Sequence, residues 1–456
     1  MSYNLINAQR DQIFLLPPTL TEWLPQTHLV YQVIDAVEQA DMKPFLRRYN
    51  ADGVGQAAYD PAVLVSLLLY GYCVGERSSR RLERLCHEHV AFRVAVGNQH
   101  PHFTTIARFR RDHEDALRTM FANVLELCHK AGLVDLSLVA VDGTKIAADA
   151  SIAANRDRKW IEDQVNKMLS EAESVDASED TLYGDKRGDE LPGTCGDREL
   201  RLEKLLAAKK ELENEQRAKD IAFAEQLRER ELQEKSSGKK KRGRKPQPPP
   251  VDEKRNVNVT DPDSRIMKDS RGFLQGYNAQ AVVSKDQIII AAEVTQQAND
   301  VRQLEPMLDA MNGSLESIGL IATVGTVLGD AGYFSEENVT GRCAEEYDLL
   351  IAVKNRHRQR ADERDRGEPR GRIRNNATPR ERMDRRLRTQ RGKKKYSRRG
   401  VIVEPIFGHI KEVRRTRRFM RRGLKACDGE WKLIATAHNL CKLHRARTVK
   451  EAVLKK

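Results

Sequence analysis

The sequence predicts an α/β protein in which a sheet flanked by helices is interrupted by a charged helical insert and preceded by an all-helical region. Three observations lead there. Apolar residues recur at helical spacing up to about residue 125. Apolar runs of strand length alternate with helical segments from Leu136 onward and again after Arg255. Between Asn155 and Arg255 the composition turns abruptly charged. At 456 residues the chain exceeds what one core holds, since single cores usually stop growing at about 250 to 300 residues.

Helical spacing is clearest through Leu64–Tyr72, Leu82–Phe92 and Leu117–Leu127. The longest apolar run, "AVLVSLLLYGYCVG" (Ala62–Gly75), falls short of the roughly 20 residues that span a bilayer, so it reads as a buried helix. In "GNQHPHFTTIARFRRDH", Gly97 and Pro101 break the chain, and Thr104 or Thr105 can cap a helix presenting Arg108, Arg110 and Arg111. That is the layout of a helix-turn-helix whose second helix enters a major groove, and equally of an ordinary capped helix with a basic outer face. His87, His89, His100 and His102 invite a zinc reading with Cys86, but their spacings fit no standard finger.

The stretch "LSLVAVDGTKIAADAS" (Leu136–Ser151) climbs through apolar residues to Asp142. Asp-Gly between alternating apolar residues reads as a hairpin turn. Alternatively, Asp142 stands at the rim of a buried sheet as a metal ligand, which requires acidic partners from elsewhere. The insert follows, with one amphipathic helix carrying Trp160, Ile161, Val165, Met168 and Leu169 and a longer charged helix over 198–235. Its apolar positions keep no strict heptad, which favours a helical hairpin over a long coiled coil. It closes with "KKKRGRKPQPPP", where Arg242, Gly243 and Arg244 resemble an AT-hook that lays arginines in a minor groove, or form a basic, proline-rich linker. Strands return at 272–284 and 287–297 with a tight turn at Lys285-Asp286. A helix at Asp300–Met311, a strand at Ala322–Leu328, a short helix from Ser335 and a strand at Asp348–Lys354 complete one α/β domain around the insert.

The formal net charge is +13, and Ile351–Lys425 alone holds 28 Lys and Arg against 8 Asp and Glu, so the remainder of the chain is net acidic. A segment this long and one-sided reads as a phosphate-binding surface. The opening residues "MSYNLINAQRDQ" lack the pattern of a secretion signal, so the protein is expected to stay in the cytoplasm, off the membrane. Seven scattered cysteines without a CxxC pair are expected to be reduced and buried. No GxxxxGK[ST] pattern marks a nucleotide-phosphate loop.

The partners that Asp142 needs are present. In "TVGTVLGDAGYFSEEN", Asp330 again follows an apolar run and precedes a helix that Ser335 can cap. In "YSRRGVIVEPIFGHIKEVRRTRRF", Glu404 opens a helix with Pro405 and stands alone among arginines, either pairing with one of them or joining the aspartates. Three carboxylates on two strand ends and one helix suit two Mg²⁺ (or Mn²⁺) ions.

"VAVDGTKI", "LGDAGYFSEEN", "VEPIFGHIK" and "EWKLIATAHNLCKL" resemble the marks of bacterial insertion-sequence DDE transposases. The stretch from Tyr59 to Gly97 is similar to their N-terminal helical domain. The resemblance implies an RNase H-like mixed sheet as catalytic core. It implies Asp142, Asp330 and Glu404 as catalytic metal ligands, metal-dependent cleavage at the element's ends and strand transfer into target DNA. It also implies Tyr396, Arg399 and Lys411 as DNA contacts around the Glu. Lys411 and the Tyr396–Arg399 interval keep the family spacing, whereas Arg399 precedes Glu404 by five positions instead of four. Arg414, Arg415, Arg242, Arg244 and Arg108 are the further expected DNA contacts. The expected organisation is a helical DNA-binding or assembly domain over 1–130 and a catalytic domain over 131–456, the latter interrupted by the insert at 156–255 and by an Arg-rich segment at 356–395. Expected partners are double-stranded terminal repeats and target DNA, with a homodimer assembled on DNA near the nucleoid. Two other readings keep the same surface: a DNA-binding protein without catalysis, and a related nuclease without strand transfer.

Overall fold

The computed structural model describes residues 19–49, 57–168, 170, 195–237, 246–269, 271–354 and 368–454. Arg242, Arg244 and the expected glycine-containing loop of the insert lie outside the described residues.

Among the described residues seven α-helices precede the sheet: α1 (Leu29–Glu38), α2 (Lys43–Leu46), α3 (Pro61–Val74), α4 (Ser79–Glu88), α5 (Val90–Ala95), α6 (Phe103–Asp112) and α7 (Glu114–Lys130). Helix α3 is the apolar run. The Asp60 carboxylate caps it by accepting from the Ala62 amide, Pro61 supplies its first turn, and Gly75 ends it at φ 86°. A Cβ on Gly75 would lie 3.1 Å from the Arg414 backbone, so a close chain crossing adds to the demand for glycine. The helix expected through Leu82–Phe92 is broken at His89, which is extended and whose ring accepts from the Ala91 amide to start α5. Helix α6 is capped by the His102 ring, which accepts from the Thr104 amide, and not by a threonine. His87 stacks on His100, Cys86 is buried, and no metal-holding group of His, Cys, Asp or Glu forms among the described residues.

The strands are β1 (Leu138–Ala147), β2 (Asn155–Asp157), β3 (Asn256–Asn258), β4 (Arg265–Asp269), β5 (Gly272–Ser284), β6 (Ile289–Thr295), β7 (Thr326–Gly329) and β8 (Asp348–Ile351). Long β5 pairs antiparallel with β1 along one edge and with β4 and β6 along the other. Strand β7 lies parallel to β1 and to β8, making a six-stranded mixed sheet, while β2 and β3 form a separate ladder. The strand bearing Asp142 does not end there, and Asp142-Gly143 is not a turn. Strand β1 runs on to Ala147 with Asp142 opposite Ala281, because β5 templates its whole length. The rim arises on the other edge, where β7 covers only Leu138–Ala140.

In the insert, a helix over 158–168 (α8) packs on α9 (Cys195–Ser237). Ile161, Val165 and Met168 meet Leu205, Ala208 and Leu212, with Val257 of β3, in a small cluster of their own. After β6 come α10 (Leu304–Ser317), entered through a 3-10 turn at Val301–Gln303, then α11 (Glu336–Thr340) and α12 (Arg342–Glu346). After β8 come α13 (Pro379–Arg388), α14 (Gln390–Ile402), α15 (Glu404–Gly408), a π-turn at His409–Val413 and the long α16 (Leu424–Leu454). Helix α16 lies against α3, α7 and β6, and its buried Trp431 donates from Nε1 to the Gln280 carbonyl at 2.8 Å. One hydrophobic cluster runs from Val30 of α1 through the sheet to Leu443 of α16. Among the described residues no helix is long and apolar enough to cross a membrane.

Candidate active site

Beyond Ala140, β1 has lost its parallel neighbour, so Asp142 looks onto the turn that leaves β7. Asp330 is in that turn, as N-cap of a short 3-10 helix, with its Oδ1 accepting from the Gly332 amide at 2.8 Å. Asp142 Oδ1 accepts in the same way from the Gly143 amide at 2.9 Å. Each aspartate therefore keeps its Oδ2 for a third partner, Arg399 of α14. Its Nη2 stands 2.8 Å from Asp142 Oδ2 and 3.8 Å from Asp330 Oδ2. Burial pushes the Asp142 carboxyl up to about 6. The Asp330 and Asp300 charges push the same way, and the Arg399 guanidinium pulls against them. Burial opposes the charge on Arg399, but Asp142, Tyr396 and Asp330 outweigh it and raise its pKa. The buried Nε of Arg399 has no acceptor among the described residues.

A polar floor supports this rim. Asp300, outside the expected site, accepts through Oδ1 from Asn278 Nδ2 and Gln280 Nε2, both at 2.7 Å, and from Lys145 Nζ at 3.3 Å. The Tyr333 hydroxyl donates to Gln280 Oε1. A Cβ on Gly143 would meet Gln280 Nε2 at 2.1 Å, which is why the residue after Asp142 is glycine. Asp300 carried no sign of its partners in its own surroundings. The available signal was Asn278 and Gln280, polar and two apart within an otherwise apolar strand, because fully buried amides need partners.

The other expected residues are spread out. Glu404 begins α15 and is exposed, with its carboxylate lying back over Gly400. Among the described residues no group of three or more His, Cys, Asp or Glu side chains is gathered to hold a metal ion. Lys411, in the π-turn, donates from Nζ to the Lys145 carbonyl of β1 at 2.9 Å, and burial lowers its pKa. Tyr396 lies one turn before Arg399 on α14, half-buried against the core. Arg415 and Arg108 are exposed. Arg414 is only 3% exposed, so it does not face solvent; it donates to the Ala437 carbonyl at 3.3 Å.

Two family models match the chain. A transposase domain (DUF772) covers residues 18–112, and a transposase DDE domain covers residues 230–440. The chain belongs to the insertion-sequence DDE transposases. No curated protein and no solved structure matches it. In this transposase the DDE match includes Asp330, Arg399, Glu404 and Lys411 but begins well after β1. Asp142 thus rests on its own geometry, its place beside Asp330 under one guanidinium.

Proposed function

We propose that this transposase cuts the phosphodiester at the ends of its insertion sequence and joins the freed strand to target DNA, with Asp142, Asp330 and Glu404 as the carboxylates of the reacting centre. The observation that carries the reading is the meeting of Asp142 and Asp330 at one guanidinium nitrogen, although β1 and β7 are far apart in the chain. The strand order supports an RNase H-like core: in β6-β5-β1-β7-β8 only β5 opposes the others, and Asp330 follows the fourth of these strands in chain order. Glu404 joins the reading through its place beyond β8 and within the DDE match.

A DDE domain implies a divalent metal, and the two aspartates fit one. Their oxygens are hard donors, and burial beside like charge gives Asp142 more to gain from a cation than an exposed acid has. Bound Mg²⁺ (or Mn²⁺) ions, two in this reading, supply stabilisation of the attacking and leaving oxygens during in-line displacement. The chain's own residues do the rest. Arg399 holds the two carboxylates in register and offsets their charge. Lys411, fixed on the β1 backbone, brings a cation beside the strand that carries Asp142. The helices before β1 serve DNA binding or assembly, on terminal repeats and target DNA and in a homodimer, within the cytoplasm near the nucleoid.

The test is nicking of a labelled end substrate in Mg²⁺ by Asp142→Ala, Asp330→Ala and Glu404→Ala, with thermal unfolding of each. Cleavage should fall by roughly 10²-fold or more, the loss expected when a main electrostatic contribution is removed, while binding of end DNA persists. Substantial cleavage by a well-folded Asp330→Ala protein would sink the assignment.

A further inference from the structure

We propose a second DNA-binding site remote from the acids: a cleft of about 360 Å³ between α4, α6 and the segment before α16, which takes a phosphodiester of the duplex backbone. It is lined by Arg77, Arg80, Arg110, Arg111 and Arg421 with Ser78 and Ser79, and no carboxylate lines it. Three of the arginines have acids to answer them nearby: Arg77 pairs with Glu430, Arg421 with Glu114 and Arg111 with Asp112. Arg80 and Arg110 have no carboxylate partner among the described residues, which leaves net positive charge facing the cleft.

Two independent features give this charge a direction. The N-terminus of the ten-residue α4 opens at Ser78, whose side chain makes no cap bond, so the first amides point outward with the positive end of the helix. Arg110 is 7% exposed, and although one Nη donates to the Arg77 carbonyl at 2.9 Å, its buried Nε has no acceptor among the described residues. A buried guanidinium N–H without an acceptor is costly, and Arg110 lines the cleft, where an anion beside its charge would offset that cost. Arg80 is held over the Phe103 ring at 4.7 Å, so its guanidinium is pre-placed at little further cost in side-chain freedom.

The place in the fold selects the ligand. The Phe419 amide donates to the Ala147 carbonyl and the Ala147 amide to the Arg417 carbonyl, so the segment that feeds Met420 and Arg421 into the cleft is bonded to the end of β1. Asp142 is five residues back along that strand, roughly 17 Å at about 3.3 Å per residue. A duplex rising about 3.4 Å per nucleotide spans that distance in several nucleotides, which places the cleft on the flank of the cut site. The proposal rests on the transposase reading above and adds where the flank is gripped.

The closing experiment uses the full chain, duplex end DNA and two variants. Arg80→Ala/Arg111→Ala removes two exposed charges, and Arg110→Lys keeps the charge while losing the Nε donor. For the double variant, the slope of log affinity against log salt should become shallower by about 0.9 for each phosphate that is no longer neutralised, equally for end and unrelated DNA. Single methylphosphonates are then walked along the end DNA. One or two neutral linkages several nucleotides from the cut should weaken wild-type binding but leave the double variant nearly indifferent, and Arg110→Lys should lose part of the same sensitivity. Losses that simply add at every position, or coupling to the scissile phosphate itself, would overturn the cleft. Wild-type protein that fails to bind end DNA would instead overturn the transposase reading and the cleft with it.

Discussion

At Asp142 burial and charge oppose each other within a single side chain. Its carboxyl is pushed up to about 6 by burial, from the ordinary aspartate value of 3.8, and it is only 17% exposed. A carboxyl with a raised folded pKa holds its proton more tightly folded than unfolded, so stability is lost as pH rises between about 4 and 6. Asp142→Asn should remove that loss. Its stability relative to wild type, followed by thermal unfolding, should climb across that window and level off above it, by up to about 3 kcal/mol less what Arg399 forfeits. A difference that stays flat from pH 4 to pH 8 would show that the ionised carboxylate is comfortable where it sits. Much of this residue-level picture was legible: both aspartates were marked by the apolar runs leading to them. The partner between them was not, because Arg399 reaches them only through the packing of α14 on β1 and β7, and its spacing to Glu404 gave no hint of that reach.

At the scale of elements, local pattern located most strands and helices, and long-range pairing reset their ends. The run "GFLQGYNAQAVVS" became β5 over its full length, since a strand buried on both faces needs no polar alternation. The same β5 carried β1 past the Asp-Gly signal that reads locally as a turn. Residues 322–325 were expected to continue a strand, but β7 begins at Thr326, where pairing with β1 begins. His102 takes the capping role expected of Thr104 because an imidazole nitrogen, like a hydroxyl, can accept the amide two residues on, here that of Thr104 itself. The insert supplies a prediction at this scale. Its helices have their own small core, separate from the main one, and reach the sheet mainly through Glu211 and Glu215, which hold Arg265 at 2.7 and 2.9 Å. Replacing residues 159–250 by a short flexible linker should leave a soluble, folded protein melting a few degrees lower. Aggregation of the truncated chain would mean that the hairpin covers main-core surface.

For the whole molecule, the boundary expected near residue 130 separates helices from sheet in the sequence, yet the core crosses it. Helix α16, the last described element, packs on α3 and α7 as well as on β6. Gly75 admits the Arg414 backbone, and Arg77 reaches Glu430, whose side chain is fully buried. The Glu430 carboxylate takes Arg77 at 2.6 Å on one oxygen, and on the other the Met420 and Arg421 amides at 2.8 and 3.2 Å. One acid therefore ties the early helices, the segment lining the arginine cleft and α16 together. A rigid tie of this kind keeps the cleft at a fixed distance from Asp142, as a grip on flanking DNA requires. Glu430→Ala strands a buried guanidinium and two amides, and breaking a buried pair from one side costs about 3–5 kcal/mol. For a cooperative unit of this size that lowers the melting temperature by about 3–5 degrees. The decisive measurement is hydrogen exchange during thermal unfolding: protection in α3 and in β1 should disappear together, in wild type and variant alike. Loss of α3 protection while β1 stays protected would show two independent units and remove the shared core from the account of how the cleft is positioned.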